Sequence, residues 1–432
     1  MIFSEKKGGE RLICLEKNGG EPLKERVIFH IDVNSAFLSW EAVYRLNTLH
    51  ETTDLRTIPA AVGGDEKKRR GIILAKSMSA KKFGVRTGES ILEARRKCPM
   101  LTLVPANYEL YKKNSQAFMD ILKDYSPDVE KYSIDEAFMD MTGMGALFGE
   151  PVKAAHTIKD RIRDELGFTV NVGISSNKYL AKMASDFEKP DRVHTLFPEE
   201  IKEKMWPLPV GDLLFVGKST VARLEALGIR TIGELALSDA AILRKTLKKQ
   251  GESIWNFANG IDFSFVHTEP EMNKGYGNST TISFDVTDEE AAKTVLLALA
   301  ESVGARLRRD KVKIQVVSVV IKDNQLKKKS HQSVLPHATD VTNEIYQTAC
   351  SLFDELWDGR PIRLLGIQTS RAMEEEARQL SLFDDEGYEK WEQMDSAVDE
   401  IRRKFGRDAV KRASFLKDND INKGFRIRHR GD

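Results

Sequence analysis

The chain has 432 residues, of which 41% are hydrophobic and 31% are charged, and its net charge is +1. These values predict a globular protein of about three domains and exclude a chain that is basic throughout. Because no run of about 18 apolar residues is present, we expect no membrane span. Three scattered cysteines argue against a disulfide framework and fit a reducing cytoplasm.

The first half of the chain alternates predicted strands and helices, assigned from the spacing of apolar residues. Residues 1–26 lack the apolar core of a signal peptide and are predicted to form a flexible extension. The elements predicted after them are the strand Val27–Asp32, the helix Ser35–Leu46, the strand Ile72–Ala75, the helices Ser77–Phe83, Ser90–Arg96 and Tyr108–Leu122, the strand Glu130–Asp140, the helix Val152–Leu166, the strand Thr169–Ile174 and the helix Lys178–Ala184.

The second half begins with a change of composition at three prolines near residues 198–209. Residues 210–260 are predicted to form short helices, and a compact unit of strands and helices follows. Its predicted elements are the strand Gly277–Phe284, the helix Asp288–Arg308, the strand Lys313–Lys322, the helix Val341–Leu356 and the strand Arg363–Ser370. After an acidic stretch, a last helix is predicted at Tyr388–Phe405. This pattern predicts an α+β fold in several domains.

Charge is concentrated in one segment. Between Asp65 and Lys97, eleven Lys and Arg stand against four Asp and Glu, so the local charge is +7. Such a segment favours an anionic partner, although a solvated surface has the same composition.

Two adjacent carboxylates, Asp135 and Glu136, lie within the predicted strand Glu130–Asp140. Neighbouring side chains of a strand point to opposite faces, so one of these acids should face a core, where a charge must be paired or bound to a cation. Asp32 is a further lone acid in an apolar strand. Each acid alone is typical of an ordinary strand end. Three of them on core strands favour a site for two hard divalent cations, which commonly promote in-line attack on a phosphate.

Several motifs follow one another along the chain. They are Phe29-His30-Ile31-Asp32 with Asn34 and Phe37, Lys81-Lys82-Phe83-Gly84-Val85, Ser133-Ile134-Asp135-Glu136-Ala137, and Val172-Gly173-Ile174-Ser175-Ser176-Asn177-Lys178 with Ala181-Lys182. In this order they resemble the Y-family DNA polymerases, most closely the bacterial DNA polymerase IV branch, from about residue 27 to about residue 372.

The resemblance implies a right-hand polymerase of the α+β class. Its expected parts are a palm at 27–196, small fingers inserted at about 41–101, a helical thumb with a helix-hairpin-helix at 197–265, an α+β little finger at 273–372, a linker at 373–387 and a helical tail at 388–432.

The resemblance also assigns the carboxylates to two Mg²⁺ ions, for which Mn²⁺ is a substitute. Asp32, Asp135 and the backbone carbonyl of Val33 would hold the metal of the nucleotide. Glu136, together with Asp32 and Asp135, would hold the metal that activates the primer 3′-hydroxyl.

Four further residues are expected around the nucleotide. Phe37 stands at the position of the steric gate, whose flat ring leaves no room for a ribose 2′-hydroxyl; by itself it is typical of a helix core. Lys182 matches a triphosphate-binding lysine. Met78 and Lys81 replace a Tyr and an Arg that usually contact the triphosphate, so a hydrogen-bond donor and a guanidinium fork are lost.

Two regions are expected to bind DNA. The segment at Gly217, Lys218 and Ser219 has helix-hairpin-helix spacing, and N–H groups at a helix start can hold a DNA phosphate; a plain helical turn has the same pattern. In the predicted little finger, a basic cluster with Arg306, Arg308 and Lys311 suits contacts with the DNA backbone. Lys327–Lys329 form a second cluster or a solvated loop.

An apolar island, Gln379-Leu380-Ser381-Leu382-Phe383, lies between acidic runs. An acidic strip cannot bury these side chains by itself, but it can become ordered on a partner. The island resembles the bacterial sliding-clamp-binding peptide, and packing on the helix Tyr388–Phe405 is the alternative.

We therefore expect a monomeric, cytoplasmic translesion DNA polymerase of low fidelity that acts on primer-template DNA and dNTPs and binds the sliding clamp. One alternative, motivated by Met78 and Lys81, is a weakly catalytic or non-catalytic DNA- and clamp-binding accessory subunit. Another is a nucleotidyl cyclase, which can share the geometry of the acids but has no use for a helix-hairpin-helix or a clamp peptide.

Overall fold

The computed structural model describes residues 26–64, 71–269, 272–374, 387–406 and 408–415. The chain divides into two compact units. The first unit is Met1–Ile58 with Asn107–Pro270, and the second is Pro59–Ala106 with Glu271–Asp432. Across the described ranges, every helix is too short or too polar to cross a membrane.

The strands and helices are numbered here in chain order. The strands are β1 (Ile28–Val33), β2 (Ala60–Gly63), β3 (Ile73–Lys76), β4 (Thr102–Pro105), β5 (Val129–Lys131), β6 (Glu136–Asp140), β7 (Val170–Ser175), β8 (Val193–Thr195), β9 (Gly277–Val286), β10 (Val312–Asp323), β11 (Lys328–Thr339) and β12 (Ile362–Glu374). The helices are α1 (Ala36–Asn47), α2 (Met78–Lys82), α3 (Ile91–Lys97), α4 (Tyr108–Lys123), α5 (Gly145–Phe148), α6 (Pro151–Leu166), α7 (Lys178–Ser185), α8 (Ile201–Lys204), α9 (Lys218–Ala226), α10 (Ile232–Leu237), α11 (Ala240–Leu247), α12 (Lys249–Ala258), α13 (Glu289–Arg309), α14 (Thr342–Leu356) and α15 (Gly387–Phe405).

The first unit is built on a five-stranded sheet in the order β5-β6-β1-β7-β8. The central strand β1 runs antiparallel to β6 and to β7. Every residue of β1 and of β7 is buried, as their short, mainly apolar runs predict. Helix α7 packs so closely on β7 that a Cβ on Gly173 would overlap the carbonyl oxygen of Ala181, so only glycine fits at that position.

The segment predicted as one strand, Glu130–Asp140, is instead a hairpin of β5 and β6. The backbone N–H groups of Tyr132 and Ser133 both donate to the carbonyl oxygen of Glu136, at 3.1 Å each. The Ser133 hydroxyl accepts from the N–H of Asp135. These turn contacts leave Asp135 outside the strand and make Glu136 the first residue of β6, so the placement of both acids in mid-strand is wrong.

Beyond β8 the first unit continues as short helices, as predicted for residues 210–260, and they share an apolar core with α7. Leu224, Ile232 and Leu243 are among its buried side chains. The turn between α9 and α10 contains Gly228 at φ +81°, a conformation that favours glycine. Thr231 caps the start of α10 by accepting from the N–H of Glu234.

The second unit contains a three-stranded sheet in the order β3-β2-β4 with α2 and α3. The strand β2 runs antiparallel to β3 and parallel to β4. Ile73, Ala80, Ile91 and Ala94 share one apolar cluster, which joins β3 to the two helices. The sequence predicted β3, α2 and α3 but not β2 or β4.

The second unit also contains a four-stranded antiparallel sheet in the order β11-β10-β12-β9. Side chains of α13 and α14 form one core with it, for example Leu299, Ile345 and Val317. The sequence missed β11, because the residues at its start are polar and exposed and so show no alternation. The interpretation of Lys327–Lys329 as a loop is therefore wrong for its last two residues.

The predicted C-terminal helix is present as α15, which packs on α13 and α14. Its Asp395 is buried and accepts from the backbone N–H of Thr342, the first residue of α14, at 2.7 Å. Arg402 of α15 pairs with Glu301 of α13 at 3.2 Å. Polar contacts along its length thus hold the helix on the second unit.

Candidate active site

The fold brings the three carboxylates of the first unit to the same end of two neighbouring strands. Asp32 of β1 lies directly opposite Glu136 of β6 in the antiparallel register. The backbone N–H of Val33 donates to the carbonyl oxygen of Asp135 at 3.0 Å, which ties the hairpin turn to the end of β1. Asp32, which is far in sequence from Asp135 and Glu136, therefore belongs to one site with them.

Asp32 is buried and is paired with a lysine that the sequence did not suggest. Its Oδ2 accepts from the ammonium of Lys189, in the loop after α7. Burial raises the pKa of Asp32 to about 6, although the positive charge of Lys189 acts in the opposite direction. The only sequence signal for Lys189 was its position shortly after the Lys182 motif.

Glu136 is paired with Lys182, the residue expected to bind the triphosphate. The ammonium of Lys182 lies 2.6 Å from Oε2 of Glu136 and 3.4 Å from Nε2 of His30. Burial would raise the pKa of Glu136, but its contacts with His30 and Lys182 outweigh burial and lower the pKa to about 2. Glu136 is therefore ionised at neutral pH.

His30 lies beneath this pair and is held by Ser185. The Ser185 hydroxyl donates to the carbonyl oxygen of Lys182 at 2.8 Å, and its oxygen lies 2.7 Å from Nδ1 of His30. Burial lowers the pKa of His30 to about 4, so the ring is neutral at pH 7. Its Nε2 lies 3.4 Å from the ammonium of Lys182 and 3.5 Å from Oε2 of Glu136.

Asp135 has a local partner. The Ser133 hydroxyl donates to Oδ1 of Asp135 at 2.7 Å. Burial raises the pKa of Asp135, and the hydrogen bond from Ser133 opposes this effect. Each of the three acids is thus directed to a different neighbour: Lys189, Ser133 or Lys182.

The donor set fits a hard divalent cation in its chemistry, because it consists of carboxylate oxygens at adjoining strand ends. Among the described residues, however, no three His, Cys, Asp or Glu side chains are grouped as in a formed metal site. The carboxylates therefore have the right type and location for such a site, and turning their oxygens towards a common point requires the two lysines to give way.

Phe37, the expected steric gate, lies on the first turns of α1 in an aromatic cluster. Its ring stacks on Tyr111, with centroids 4.4 Å apart, and has Trp40 and Tyr108 at 5.9 and 6.0 Å. Tyr111 is fully buried, and its hydroxyl donates to Glu41 at 2.9 Å. Phe37 itself is half-buried, so one part of a firmly held ring remains accessible.

Met78 and Lys81 belong to α2 in the second unit. Met78 is 43% exposed, and Lys81 is exposed as well. Lys76, at the end of β3, is close enough to Lys81 for their charges to interact, and burial together with Lys81 lowers the pKa of Lys76. Lys76 is thus a further cation near the two residues that the sequence singled out.

The residues expected to bind DNA differ in their exposure to solvent and in their contacts within the protein. Gly217 precedes the first residue of α9, and Lys218 and Ser219 are exposed at its start. In the second unit, Lys311 is exposed, and Arg306 stacks over the ring of Tyr276 at 5.3 Å.

Arg308 is not available for DNA. Its guanidinium bonds to Asp399 at 2.6 Å, to Asp395 at 3.0 Å and to the carbonyl oxygen of Asp340 at 2.8 Å. Its side chain is only 12% exposed. Sequence reasoning grouped Arg308 with its neighbours by charge and could not show that it faces α15, so the prediction of a DNA contact at Arg308 is wrong.

The predicted clamp-binding residues Gln379, Leu380, Ser381, Leu382 and Phe383 lie outside the described residues, as do residues 1–25 and the basic residues Lys67–Arg70.

Comparisons with known proteins agree with this geometry. The chain matches the impB/mucB/samB family over residues 31–186, the C-terminal domain of that family over residues 273–382 and the helix-hairpin-helix motif of the same family over residues 198–229. A DNA polymerase IV of Clostridium acetobutylicum is 46% identical over 395 residues, which are 90% of this chain and 98% of the relative. The chain belongs to the Y-family of DNA polymerases, in the polymerase IV branch.

Other relatives support the same branch of the Y-family. A DNA polymerase IV of Acetivibrio thermocellus is 40% identical and covers 92% of this chain and 100% of the relative. A DNA polymerase IV of Bacillus subtilis is 37% identical, with coverage of 92% and 94%. Among solved structures, a Y-family DNA polymerase chimera superposes with a TM-score of 0.70 at 21% identity, and the match covers 81% of this chain and all of the chimera.

These findings confirm the predicted family, the α+β polymerase fold and the predicted class of enzyme, a translesion DNA polymerase. Dependence on divalent metal ions is general in the Y-family. The non-catalytic accessory subunit is not favoured, and membership of the Y-family decides against a nucleotidyl cyclase.

Proposed function

We propose that this Y-family enzyme extends a DNA primer along a template by transferring nucleotides from dNTPs at Asp32, Asp135 and Glu136. One observation carries the proposal. Asp32 lies directly opposite Glu136 across two central strands, and a backbone hydrogen bond from Val33 holds Asp135 beside them. Three carboxylates at one location, of which Asp32 is buried and the other two are partly buried, are costly for folding unless cations balance their charge.

The proposed cofactors are two Mg²⁺ ions, with Mn²⁺ as a substitute. Asp32, Asp135 and the carbonyl oxygen of Val33 would hold one ion, and Glu136 would complete the ligands of the other. Bound there, the ions supply neutralisation of the triphosphate and activation of the primer 3′-hydroxyl. The protein's share is to fix the positions of its oxygens. Asp32 and Glu136 lie on β1 and β6, which hold them more firmly than loops would, and the hydrogen bond from Val33 holds the turn at Asp135.

Phe37 is proposed to select deoxynucleotides. Its ring stacks on Tyr111, and Tyr111 is in turn bonded to the buried Glu41. A ring held in this way cannot turn aside for an additional hydroxyl group, so a ribonucleotide would clash with it.

The proposed triphosphate contacts are Lys182, Met78 and Lys81. Lys182 contributes a buried ammonium beside Glu136. Met78 contributes only packing, because a thioether is at most a weak acceptor, whereas Lys81 contributes a point charge. Lys76 adds a second cation near Lys81.

We further propose that residues 27–196 form the palm, with small fingers inserted at about 41–101, and that 197–265 form the thumb and 273–372 the little finger. The thumb would hold DNA phosphates at Gly217, Lys218 and Ser219. Small fingers check the geometry of a base pair weakly, so low fidelity is part of the proposal.

In the little finger, Arg306 and Lys311 remain proposed DNA contacts. A polar row supports this role: Gln332, Ser318 and Gln368 lie side by side on β11, β10 and β12. They alternate with Val317 and Val319, which point into the core shared with the helices. On the opposite face this neutral row lies between two buried valines of β10, Val316 and Val320, and its hydrogen-bonding groups suit contacts that do not depend on DNA sequence.

The proposed partner is the bacterial sliding clamp, bound through Gln379–Phe383, and the proposed state is a cytoplasmic monomer. The supporting feature is the apolar island within an acidic segment.

Primer extension tests the proposed site. Asp135→Asn and Glu136→Gln should each abolish extension by the purified chain with Mg²⁺ and dNTPs. The control Asp160→Asn, which removes an exposed carboxylate of α6, should not affect it. Extension that survives both site substitutions would refute the assignment, and no extension by the wild type at high enzyme concentration would refute the activity.

A further inference from the structure

Lys189 contacts two carboxylates that differ in their surroundings. Its ammonium bonds to Oδ2 of Asp32 and lies 2.8 Å from Oδ1 of Asp186. The side chain of Asp32 is 11% exposed and that of Asp186 is 46% exposed, with Lys189 between them at 34%. The ammonium can therefore remain paired with Asp186 when Asp32 takes another cation.

The backbone around Lys189 is fastened to the sheet on both sides. Asn171 of β7 donates to the carbonyl oxygen of Glu188 at 2.6 Å, and Asn34 accepts from the N–H of Asp191 at 2.9 Å. The two amides bond to each other at 3.0 Å, and both are buried. The sheet thus sets the position of the loop, and the partly exposed side chain of Lys189 can change partners without movement of the backbone.

A buried ion pair adds a third attachment. The ammonium of Lys159, on α6, lies 2.9 Å from Oδ1 of Asp191 and is only 7% exposed. Removing a partner of a buried pair is costly, so this contact resists displacement of the loop.

Lys182, the other lysine of the site, has less freedom. Its side chain is 9% exposed and is enclosed by Glu136, by Nε2 of His30 and by the ring of Tyr132 at 5.2 Å. The two lysines therefore have different roles, although each pairs with one carboxylate of the site.

We propose that Lys189 is a positioning residue that occupies the cation position beside Asp32 and yields it to a divalent metal ion while remaining paired with Asp186. This inference rests on the metal site of the proposed function. A metal ion and an ammonium cannot both lie against one carboxylate oxygen, because two cations a few Å apart repel each other strongly. Lys189 thereby keeps Asp32 paired before the metal binds and lowers the affinity of the site for the metal.

If Lys189 and a metal ion compete for Asp32, substitutions of Lys189 and of Asp186 should change the affinity for Mn²⁺ in opposite directions. Lys189→Gln removes the competing charge, so we expect Mn²⁺ to bind about fivefold more tightly, the scale of a strong surface ion pair. Asp186→Asn removes the second partner of the ammonium and should weaken Mn²⁺ binding by about the same factor. Damage to the fold would weaken binding in both variants, so the opposite signs separate competition from misfolding.

The matched control is Lys204→Gln. Lys204 pairs with Glu200 and is 37% exposed, so its loss removes the same charge from a comparable surface pair. We expect this variant to bind Mn²⁺ like the wild type, and the same holds for Lys189→Arg, which keeps the charge.

The experiment is a titration of the full chain with MnCl₂, in which the electron paramagnetic resonance signal reports free Mn²⁺. Binding that Asp135→Asn removes is assigned to the carboxylate site. If that binding is present but Lys189→Gln leaves it unchanged or weakens it, the role of Lys189 is overturned and the metal site stands. If Asp135→Asn changes nothing, the metal site is overturned together with the role of Lys189.

Discussion

The ring of Phe37 lies parallel to the ring of Tyr111, with 4.4 Å between the centroids and 11° between the planes. Tyr111 is fully buried, and its hydroxyl is bonded to the buried Glu41. The proposed gate is therefore backed by a second ring that cannot move independently, and selectivity for the sugar should depend on both rings.

We predict that Phe37→Ala raises the ratio of ribonucleotide to deoxynucleotide incorporation on the order of 100-fold, the scale on which a pocket discriminates against one added hydroxyl. Tyr111→Leu should raise the ratio about fivefold, because an aromatic pair is worth about 1 kcal/mol. Single-nucleotide incorporation with rCTP and dCTP measures the ratio. Tyr125→Leu, which removes an aromatic contact with Phe148 instead, is the control, and an unchanged ratio in Phe37→Ala contradicts the gate.

Asp32 should make the protein less stable at neutral pH than a neutral side chain would. Its pKa in the folded state, about 6, lies above its ordinary value, so its contribution to stability is present at low pH and is lost as the pH rises through 6. We predict that Asp32→Asn raises the melting temperature by about 4 °C at pH 7.5 and has little effect at pH 4.5, both measured calorimetrically with a chelator.

The control for this prediction is Asp160→Asn. Hydrogen bonding to Lys159 lowers the pKa of Asp160, so that carboxylate stabilises the fold when ionised, and its loss should not raise the melting temperature. An Asp32→Asn variant that melts below the wild type at pH 7.5 would show that the pair with Lys189 outweighs burial.

Restoring the missing triphosphate donors should strengthen nucleotide binding. We predict that Met78→Tyr and Lys81→Arg each lower the KM for dNTPs about tenfold, because a hydrogen bond to a charged group is worth about 1.5–3 kcal/mol. Steady-state extension gives the KM. Leu92→Tyr, which adds a hydroxyl at an exposed position on α3, is the control. An unchanged KM in both variants would mean that α2 does not contact the triphosphate.

Asp395 should be the main polar attachment of α15. It bonds to Arg308 and to the N–H of Thr342, and removing one partner of a buried pair costs about 3 kcal/mol. We predict that Asp395→Ala makes α15 exchange its amide hydrogens faster by about 100-fold, measured by mass spectrometry. Glu389→Ala, an exposed acid in the first turn of the same helix, should exchange like the wild type. Equal exchange in the two variants would contradict the attachment.

Replacing Gln379–Phe383 by a Gly-Ser sequence of equal length should abolish stimulation by the sliding clamp and leave synthesis without the clamp unchanged. The reason is that apolar side chains supply most of the energy when a segment orders on a partner. Primer extension with and without loaded clamp measures this. Undiminished stimulation would show that the clamp, if bound, is held elsewhere.

The sequence predicted those elements whose apolar residues follow a clear period. The helices α4, α6 and α13 are examples, each with an apolar side that packs on the rest of its unit. It missed β11, because a strand that is polar and exposed at its start has no alternation to detect. It also merged β5 and β6, because the turn at Ser133 depends on side-chain and backbone hydrogen bonds rather than on Gly or Pro.

In the candidate site, the motifs supplied the carboxylates and Phe37 but not their partners. Lys189 meets Asp32 only because buried amides attach its loop to β1 and β7, and no local pattern encodes that contact. Arg308 is the opposite case. Its charge alone predicted contact with DNA, but in the structure it is paired with two acids of α15. The pairing of Lys189 and the burial of Arg308 both depend on contacts between residues that are distant in sequence, which a local sequence pattern does not show.

The attachment of α15 also limits how far a bound partner can be from the second unit. The chain leaves the described fold at Glu374, at the end of β12, and re-enters it at Gly387, where α15 begins. A segment of this length that is held at both ends can extend only about 20 Å before it must turn back, about half the span of a tail with one free end. If the clamp binds there, its binding site must lie within about 20 Å of the proposed little finger, and polymerase and clamp would move along DNA as close neighbours.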